Sequence, residues 1–221
     1  MVRITDDILY RVEKPSRYVG GELNEVIKDP KEVDIRFGFC FPDVYEVGMS
    51  HLGSRILYHV LNQRKDTYCE RVYAPWPDME KLMRENNIPL YALETKDPIN
   101  EFNFLAFTLQ YEMSYTNILN MLNMGGIPLR ASERTEKDPL VIAGGPCAYN
   151  PEPLYDIVDI FQLGEGEEGL NDLLDLYQKH KDNFNKEAYL REASHIPSVY
   201  IPSLYDVTYN EDGTIKEFIP K

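Results

Sequence analysis

The chain has 221 residues, with 37 acidic against 23 basic side chains and a formal net charge of −14. That acidity argues against a nucleic-acid groove, which draws on clustered Lys and Arg, so no direct nucleic-acid binding is expected. With 43% hydrophobic residues the chain can bury one sizeable core, and no apolar run approaches the ~18 residues that a membrane span needs.

Three cysteines, Cys40, Cys69 and Cys147, lie far apart without C-x-x-C spacing, so neither a disulfide framework nor a local zinc or iron–sulfur site is written in the chain. The start, Met1 to Asp7, has no basic segment followed by an apolar one. A cytoplasmic protein with no membrane partner is the expectation.

Residues 1–31 carry six basic and six acidic side chains and no long apolar period, which predicts an arm wrapped on the core. Ile35 to Phe41 reads as a strand, Pro42 to Met49 as a loop, and Ser50 as the cap of a helix carrying Leu52, Ile56, Leu57, Val60 and Leu61. A second strand is predicted over Glu70 to Ala74, then a helix capped by Asp78 and ended by Asn86-Asn87. Pro89 to Leu93 reads as a short strand and Phe104 to Leu109 as a fully buried one. A helix with Ile118, Leu119, Met121 and Leu122 stops at Gly125-Gly126, the residue type helices favour just past their ends. Leu140 to Ala143 and Val158 to Leu163 are further buried strands, and Gly164 to Gly169 leads into a helix with Leu170, Leu173, Leu174 and Tyr177. Tyr205 to Tyr209 and Thr214 to Phe218 alternate around Asn210-Glu211-Asp212-Gly213, a hairpin signal.

Alternating strands and helices predict an α/β fold: a Rossmann-like, doubly wound, mainly parallel sheet with an N-terminal arm and a C-terminal β-hairpin extension. The domain division is an arm at 1–31, the sheet domain at 32–182 and an extension at 183–221.

In such sheets ligands bind beyond the carboxyl ends of the strands, where loops converge. Four loops qualify: Pro42 to Ser50, Gln110 to Ser114, Gly144-Gly145-Pro146-Cys147, and Gly164-Glu165-Gly166-Glu167. Their glycines permit close backbone approach, and the helices that follow offer free amide donors; tight strand-to-helix turns need the same glycines with nothing bound. No G-x-x-x-x-G-K-[ST] cradle is present, and Gly164-x-Gly166-x-x-Gly169 carries three glutamates, which would repel pyrophosphate. Pro151 to Gln178 holds eight acidic residues and no Lys or Arg, compatible with a partner, a cation or a solvated face. Asp43 and Glu46 could pair for acid–base work, but no partner group is visible, nor do His51, His59, His180 and His195 form a triad or a metal set. No catalytic centre is legible.

Five blocks carry a resemblance: Lys14-Pro15-Ser16-Arg17-Tyr18-Val19-Gly20-Gly21-Glu22, Phe41 through Gly53, Leu109 through Tyr115, Gly144 through Pro153, and Gly164 through Glu168. Across roughly residues 10 to 220 the chain resembles the N-terminal domain of radical S-adenosylmethionine (radical SAM) proteins that contain a cobalamin-binding domain. The resemblance implies a sheet that presents cobalamin, or keeps the vestige of its site, to a downstream barrel of the same protein. There a C-x-x-x-C-x-x-C motif would hold a [4Fe–4S] cluster that cleaves S-adenosylmethionine. The barrel and its cysteines are not in these residues, so the chain looks like the front part of such an enzyme, not catalytic by itself.

The family's D-x-H-x-x-G signature stands here as Asp43-Val44-Tyr45-Glu46-Val47-Gly48, with tyrosine where the cobalt-ligating histidine would be. Either cobalamin binds without a protein lower ligand, or the site has lost it. The implied cofactor-binding residues are Asp43, Tyr45, Glu46, Gly48, Met49 and Ser50, then Leu109 and Tyr111, then Gly144, Gly145 and Pro146, then Gly164, Glu165, Gly166 and Glu167; no metal ligand is assigned. The rival expectations are a docking or substrate-recognition module that has lost cobalamin, and a flavodoxin-like flavin carrier. The flavin reading is disfavoured because the first loop, Pro42-Asp43-Val44-Tyr45-Glu46, lacks a Ser/Thr/Gly-rich phosphate cradle.

Overall fold

The structure is a computed structural model that describes residues 2 and 4–221; residues 1 and 3 of the arm lie outside the described residues. The arm contains the helical turn α1 (Asp6–Leu9) and a 3-10 turn at Pro15–Arg17, and buries Ile8, Val12 and Tyr18 in the core. The first strand, β1 (Ile35–Phe41), alternates its side chains between two cores: Ile35, Phe37 and Phe39 enter one, and Cys40 the other.

Beyond β1 the chain departs from the expected loop. Residues Tyr45–Ser50 form a short helix, α2, and α3 (Leu52–Gln63) starts after His51, not Ser50. The reason is local chemistry. The His51 imidazole accepts the Ser54 amide, so it does the capping, while the Ser50 hydroxyl donates to the Glu46 carbonyl within α2.

The next elements are β2 (Thr67–Tyr73), which starts three residues before the sequence expectation, and α4 (Pro77–Glu85). Residues 89–93 do not form a strand. Their amides serve other elements, Leu90 N–H bonding to Met124 and Leu93 N–H to Arg71, with only an isolated bridge from Tyr91 to Pro98. There follow β3 (Phe104–Thr108), α5 (Tyr115–Met124), β4 (Leu140–Gly144), β5 (Ile160–Gln162) and α6 (Gly166–His180). Two elements carry no strong sequence signal: α7 (Lys186–Ala193) and a two-residue strand, β6 (Val199–Tyr200). The hairpin β7 (Tyr205–Tyr209) and β8 (Ile215–Pro220) closes the chain as expected and forms its own two-stranded sheet.

The six-stranded sheet has the order β2-β1-β3-β4-β5-β6, parallel from β2 through β5, with β6 antiparallel to β5. The doubly wound expectation holds, and 2-1-3-4-5 is the flavodoxin-type order of that class, whose topological switch point lies between β1 and β3. One face packs α3, α6 and α7 through residues such as Tyr58, Leu173 and Tyr189; the other packs the arm, α4 and α5 through Val12, Met83 and Met121.

Two polar devices hold this arrangement. Asp159, 3% exposed, bonds Arg134 at 2.8 Å, Lys186 at 2.9 Å and the Val141 amide at 2.9 Å, tying β4, β5 and α7 together. At the β2 edge, the Asn62 side chain takes both the amide and the carbonyl of Cys69, and Lys28 donates to the Thr67 carbonyl. Farther along the edge, Glu94 accepts the Arg71 amide and Leu93 donates to the Arg71 carbonyl. Among the described residues no helix is long and apolar enough to cross a membrane.

Candidate functional site

The carboxyl ends of β1, β3, β4 and β5 open onto a cleft of about 200 Å³ between α3 and the N-terminus of α6, at the switch point. Its walls are apolar: Phe39, Leu57, Ala106, Ile142 and Leu170. Its rim is glycine and glutamate, Gly144 and Gly145 after β4, then Gly164 through Glu167 before α6. Gly145 sits at φ +103°, and a side chain there would press on the Leu109 backbone. That close approach lets Leu109 donate its amide to the Gly144 carbonyl and accept the Cys147 amide, locking the two loops together.

The distinctive polar group is Gln162, the last residue of β5. It is 4% exposed, it lines the cleft, and its side-chain oxygen has no hydrogen-bond partner among the described residues. A buried polar atom without a partner carries a desolvation cost of about 1–3 kcal/mol. The amide is accommodated because α6 has glycine at 169, where any side chain would collide with it. Nearby, Gln110 donates to the Thr108 hydroxyl at 2.5 Å, and both residues line the cleft.

The fifteen residues expected at the site do not converge. Gly144, Gly145, Gly164, Glu165, Gly166 and Glu167 line the cleft. Leu109 acts through its backbone, Pro146 begins the turn that follows β4, and Tyr111 stands exposed outside the cleft. The Asp43-to-Ser50 group is elsewhere, against the arm. Tyr45 donates its hydroxyl to Glu22 at 2.7 Å, and Glu46 pairs with Lys14 at 3.0 Å and Arg17 at 2.9 Å. Asp43 accepts the Val44 amide, Gly48 abuts the Tyr73 ring, and Met49 places its sulfur 3.1 Å from Arg71. Gly48 and Met49 line a second, larger groove of about 920 Å³ between α3 and residues 22–26.

Electrostatically this second region is a knot around Arg71, whose guanidinium meets Glu94 at 2.6 Å and Glu22 at 2.8 Å. Burial raises the Glu94 carboxyl to about 7, against the pull of Arg71. Burial and the bond to Glu22 push the Tyr45 phenol up to about 12. Tyr45 is therefore a protonated donor with its oxygen engaged, unsuited to binding a metal.

His51, which sequence reasoning set aside, does line the cleft. Its Nδ1 accepts the Ser54 amide at 3.1 Å, which puts the ring proton on Nε2. Among the described residues no group of three or more His, Cys, Asp or Glu side chains could hold a metal ion. Gln162 and Thr108 were also missed, whereas Gln110 opens one of the four expected loops. The available signal was a glutamine inside an otherwise apolar strand, Ile160-Phe161-Gln162-Leu163.

A flavodoxin-ordered sheet with an apolar cleft at its switch point and glycine loops around the mouth defines a doubly wound α/β domain. The family model described as "Radical SAM proteins, N-terminal" matches residues 53–202, about two thirds of the chain. The chain belongs to that family of N-terminal radical SAM domains. An uncharacterized protein of Methanocaldococcus jannaschii is 26% identical over 128 residues, 58% of this chain and 23% of the relative. The chain thus spans only about a quarter of the curated relative it matches. No solved structure matches.

Proposed function

We propose that this domain is a corrinoid-presenting module that holds cobalamin at the carboxyl rim of its sheet for a radical SAM barrel elsewhere in the same protein. The observation that carries the reading is the switch-point cleft with an unpartnered, buried Gln162 amide inside it. A cleft of about 200 Å³ is smaller than the roughly 300–1,000 Å³ typical of drug-sized ligands, so it suits one ring system, such as the lower base of the cofactor. The macrocycle would be left to the glycine rim formed by Gly144, Gly145, Gly164 and Gly166. Glu165 and Glu167 on that rim favour hydrogen-bond donors, such as the amide side chains at the edge of the macrocycle.

The residues fit the base and supply no axial ligand: Tyr45 is engaged with Glu22, and His51 has its Nδ1 lone pair on Ser54 and its proton on Nε2. Cobalamin, when bound, supplies a cobalt-centred carrier for alkyl groups. The chain's own part is to sequester the base, exclude water from it and orient the rim. The [4Fe–4S] cluster and S-adenosylmethionine belong, in this reading, to the barrel. Titration with hydroxocobalamin, followed by visible absorption and desalting, tests it. A spectral change with retained colour is expected; neither change nor retention would reject cobalamin binding.

A second reading, a docking or substrate-recognition module without cobalamin, is favoured by the missing axial ligand and by exposed Val47, Tyr111, Met113 and Tyr149 on the segments that follow β1, β3 and β4. Pull-down against the separately expressed barrel discriminates. Capture of the barrel by a domain that binds no corrinoid supports this second reading.

A further inference from the structure

We infer that the cleft selects a planar nitrogen heterocycle bearing an exocyclic amine, a 6-aminopurine type of ring, which Gln162 reads along its edge. The corrinoid reading above is the source of the ring favoured here, but the ring chemistry is argued from the cleft alone.

Gln162 is the starting point. A primary amide offers an acceptor oxygen and a donor nitrogen side by side, and here the oxygen is buried without a partner among the described residues. A ligand that fills the cleft with hydrocarbon alone would leave that already desolvated oxygen without a partner. A ring edge with an amine beside a ring nitrogen answers both atoms of the amide at once, the pairing by which glutamine and asparagine recognise adenine. Such an edge satisfies the amide whichever way round it lies.

The surroundings select the rest of the ligand. Phe39, Leu57, Ala106, Ile142 and Leu170 give flat apolar walls suited to a ring face, and the volume admits one ring system. Glycine at both 144 and 169 clears the space around Gln162: a side chain at 144 would come within 3.3 Å of the Gln162 carbonyl, and one at 169 would strike its amide. Glu165 and Glu167 at the mouth disfavour a free phosphate and suit an amine.

This chemistry has two sources, a nucleoside or the lower base of a corrinoid, and it separates corrinoids from one another. The dimethylbenzimidazole base of cobalamin presents methyl groups and no N–H on its outer edge, whereas an adenine base presents the required amine. A corrinoid carrying adenine should therefore bind more tightly than cobalamin.

The experiment is equilibrium dialysis of the chain with four probes: hydroxocobalamin, the adenine-based cobamide, the cobamide whose base is unsubstituted purine, and adenosine. The adenine-based cobamide is expected to bind at least about tenfold more tightly than the other two corrinoids. Gln162→Leu should abolish that difference. Equal affinities for the three corrinoids, or tighter binding of cobalamin, would overturn the inference while leaving corrinoid binding intact. Binding of adenosine with no corrinoid bound would retire the corrinoid reading and keep the ring assignment. If nothing binds, both fall. The comparison of the adenine and purine cobamides needs only the unmodified chain, so it decides the matter even if the Gln162→Leu variant does not fold.

Discussion

Tyr45 and Glu22 are joined by a 2.7 Å hydrogen bond that crosses from α2 to the arm, and this bond takes the tyrosine out of reach of any ligand in the cleft. Tyr45→Phe should lower stability by about 1 kcal/mol in urea denaturation, the usual net contribution of one hydrogen bond. Corrinoid affinity, measured by dialysis, should stay unchanged. A loss of affinity without a loss of stability would show that Tyr45 does reach the cofactor.

Glu46 fastens the arm to α2. Partial burial raises its carboxyl, but its own amide, Lys14 and Arg17 outweigh that and hold it near 2, below the ordinary carboxylate value. A carboxyl depressed by folding stabilises the protein above its ordinary value and loses that contribution as pH falls through the folded one. Between about pH 4.5 and 2 the segment 14–22 should therefore detach before the sheet unfolds. Amide hydrogen exchange followed across that range should show early loss of protection confined to these residues, a pattern that Glu46→Gln displays already at neutral pH.

Glu94 has the opposite sign. Its carboxyl lies near 7, above the ordinary carboxylate value, so its contribution is complete below about pH 4.5 and is lost as pH rises through 7. The expected cost of ionising it is on the order of 3 kcal/mol. Denaturation midpoints measured from pH 5 to 8 should fall with pH, and Glu94→Gln should flatten the slope even where it lowers the midpoint.

Asp159 neutralises two cations in a buried position. Asp159→Asn leaves Arg134, 4% exposed, without its counter-charge and should cost about 3–5 kcal/mol. Because Lys186 is tethered by the same carboxylate, α7 should become exchange-labile ahead of the central strands. Equal protection of α7 and β4 in the variant would contradict that coupling.

Gly169→Ala places a methyl group where the Gln162 amide lies. Overpacking of this kind costs typically about 1–3 kcal/mol. The diagnostic result is recovery of stability in the double variant Gly169→Ala with Gln162→Ala, which removes the colliding group; additive losses would mean that the two residues do not press on each other.

The sheet was legible because β1, β3 and β4 are short, largely apolar runs, β1 ended by Pro42 and β4 by Gly144-Gly145, and α6 has leucines at helical spacing. The strand expected at Pro89 to Leu93 shows the limit: an apolar run looks like a strand whether its amides reach a ladder or scattered partners, and these reach Met124 and Arg71. The strand β6 is two residues long, too short for any alternation. At the site, glycines after strands marked the rim of the cleft beyond β4 and β5. The Phe41-to-Gly53 block is divided: His51 and Gly53 line the cleft, whereas Tyr45, Glu46 and Met49 contact Glu22, Arg17 and Arg71, because a motif near such a rim can equally serve an intramolecular anchor. That choice depends on where residues 14–28 return, which no local pattern of the sequence states.

The edge of β2 has a consequence for what the domain can join. An unprotected border strand is a template on which another extended chain can zip itself, in recruitment of a peptide or in fibril growth. Here Asn62 occupies both backbone positions of Cys69, Glu94 and Leu93 occupy those of Arg71, and Lys28 holds the Thr67 carbonyl. No extended companion can add itself along β2, since this border of the sheet is already spoken for.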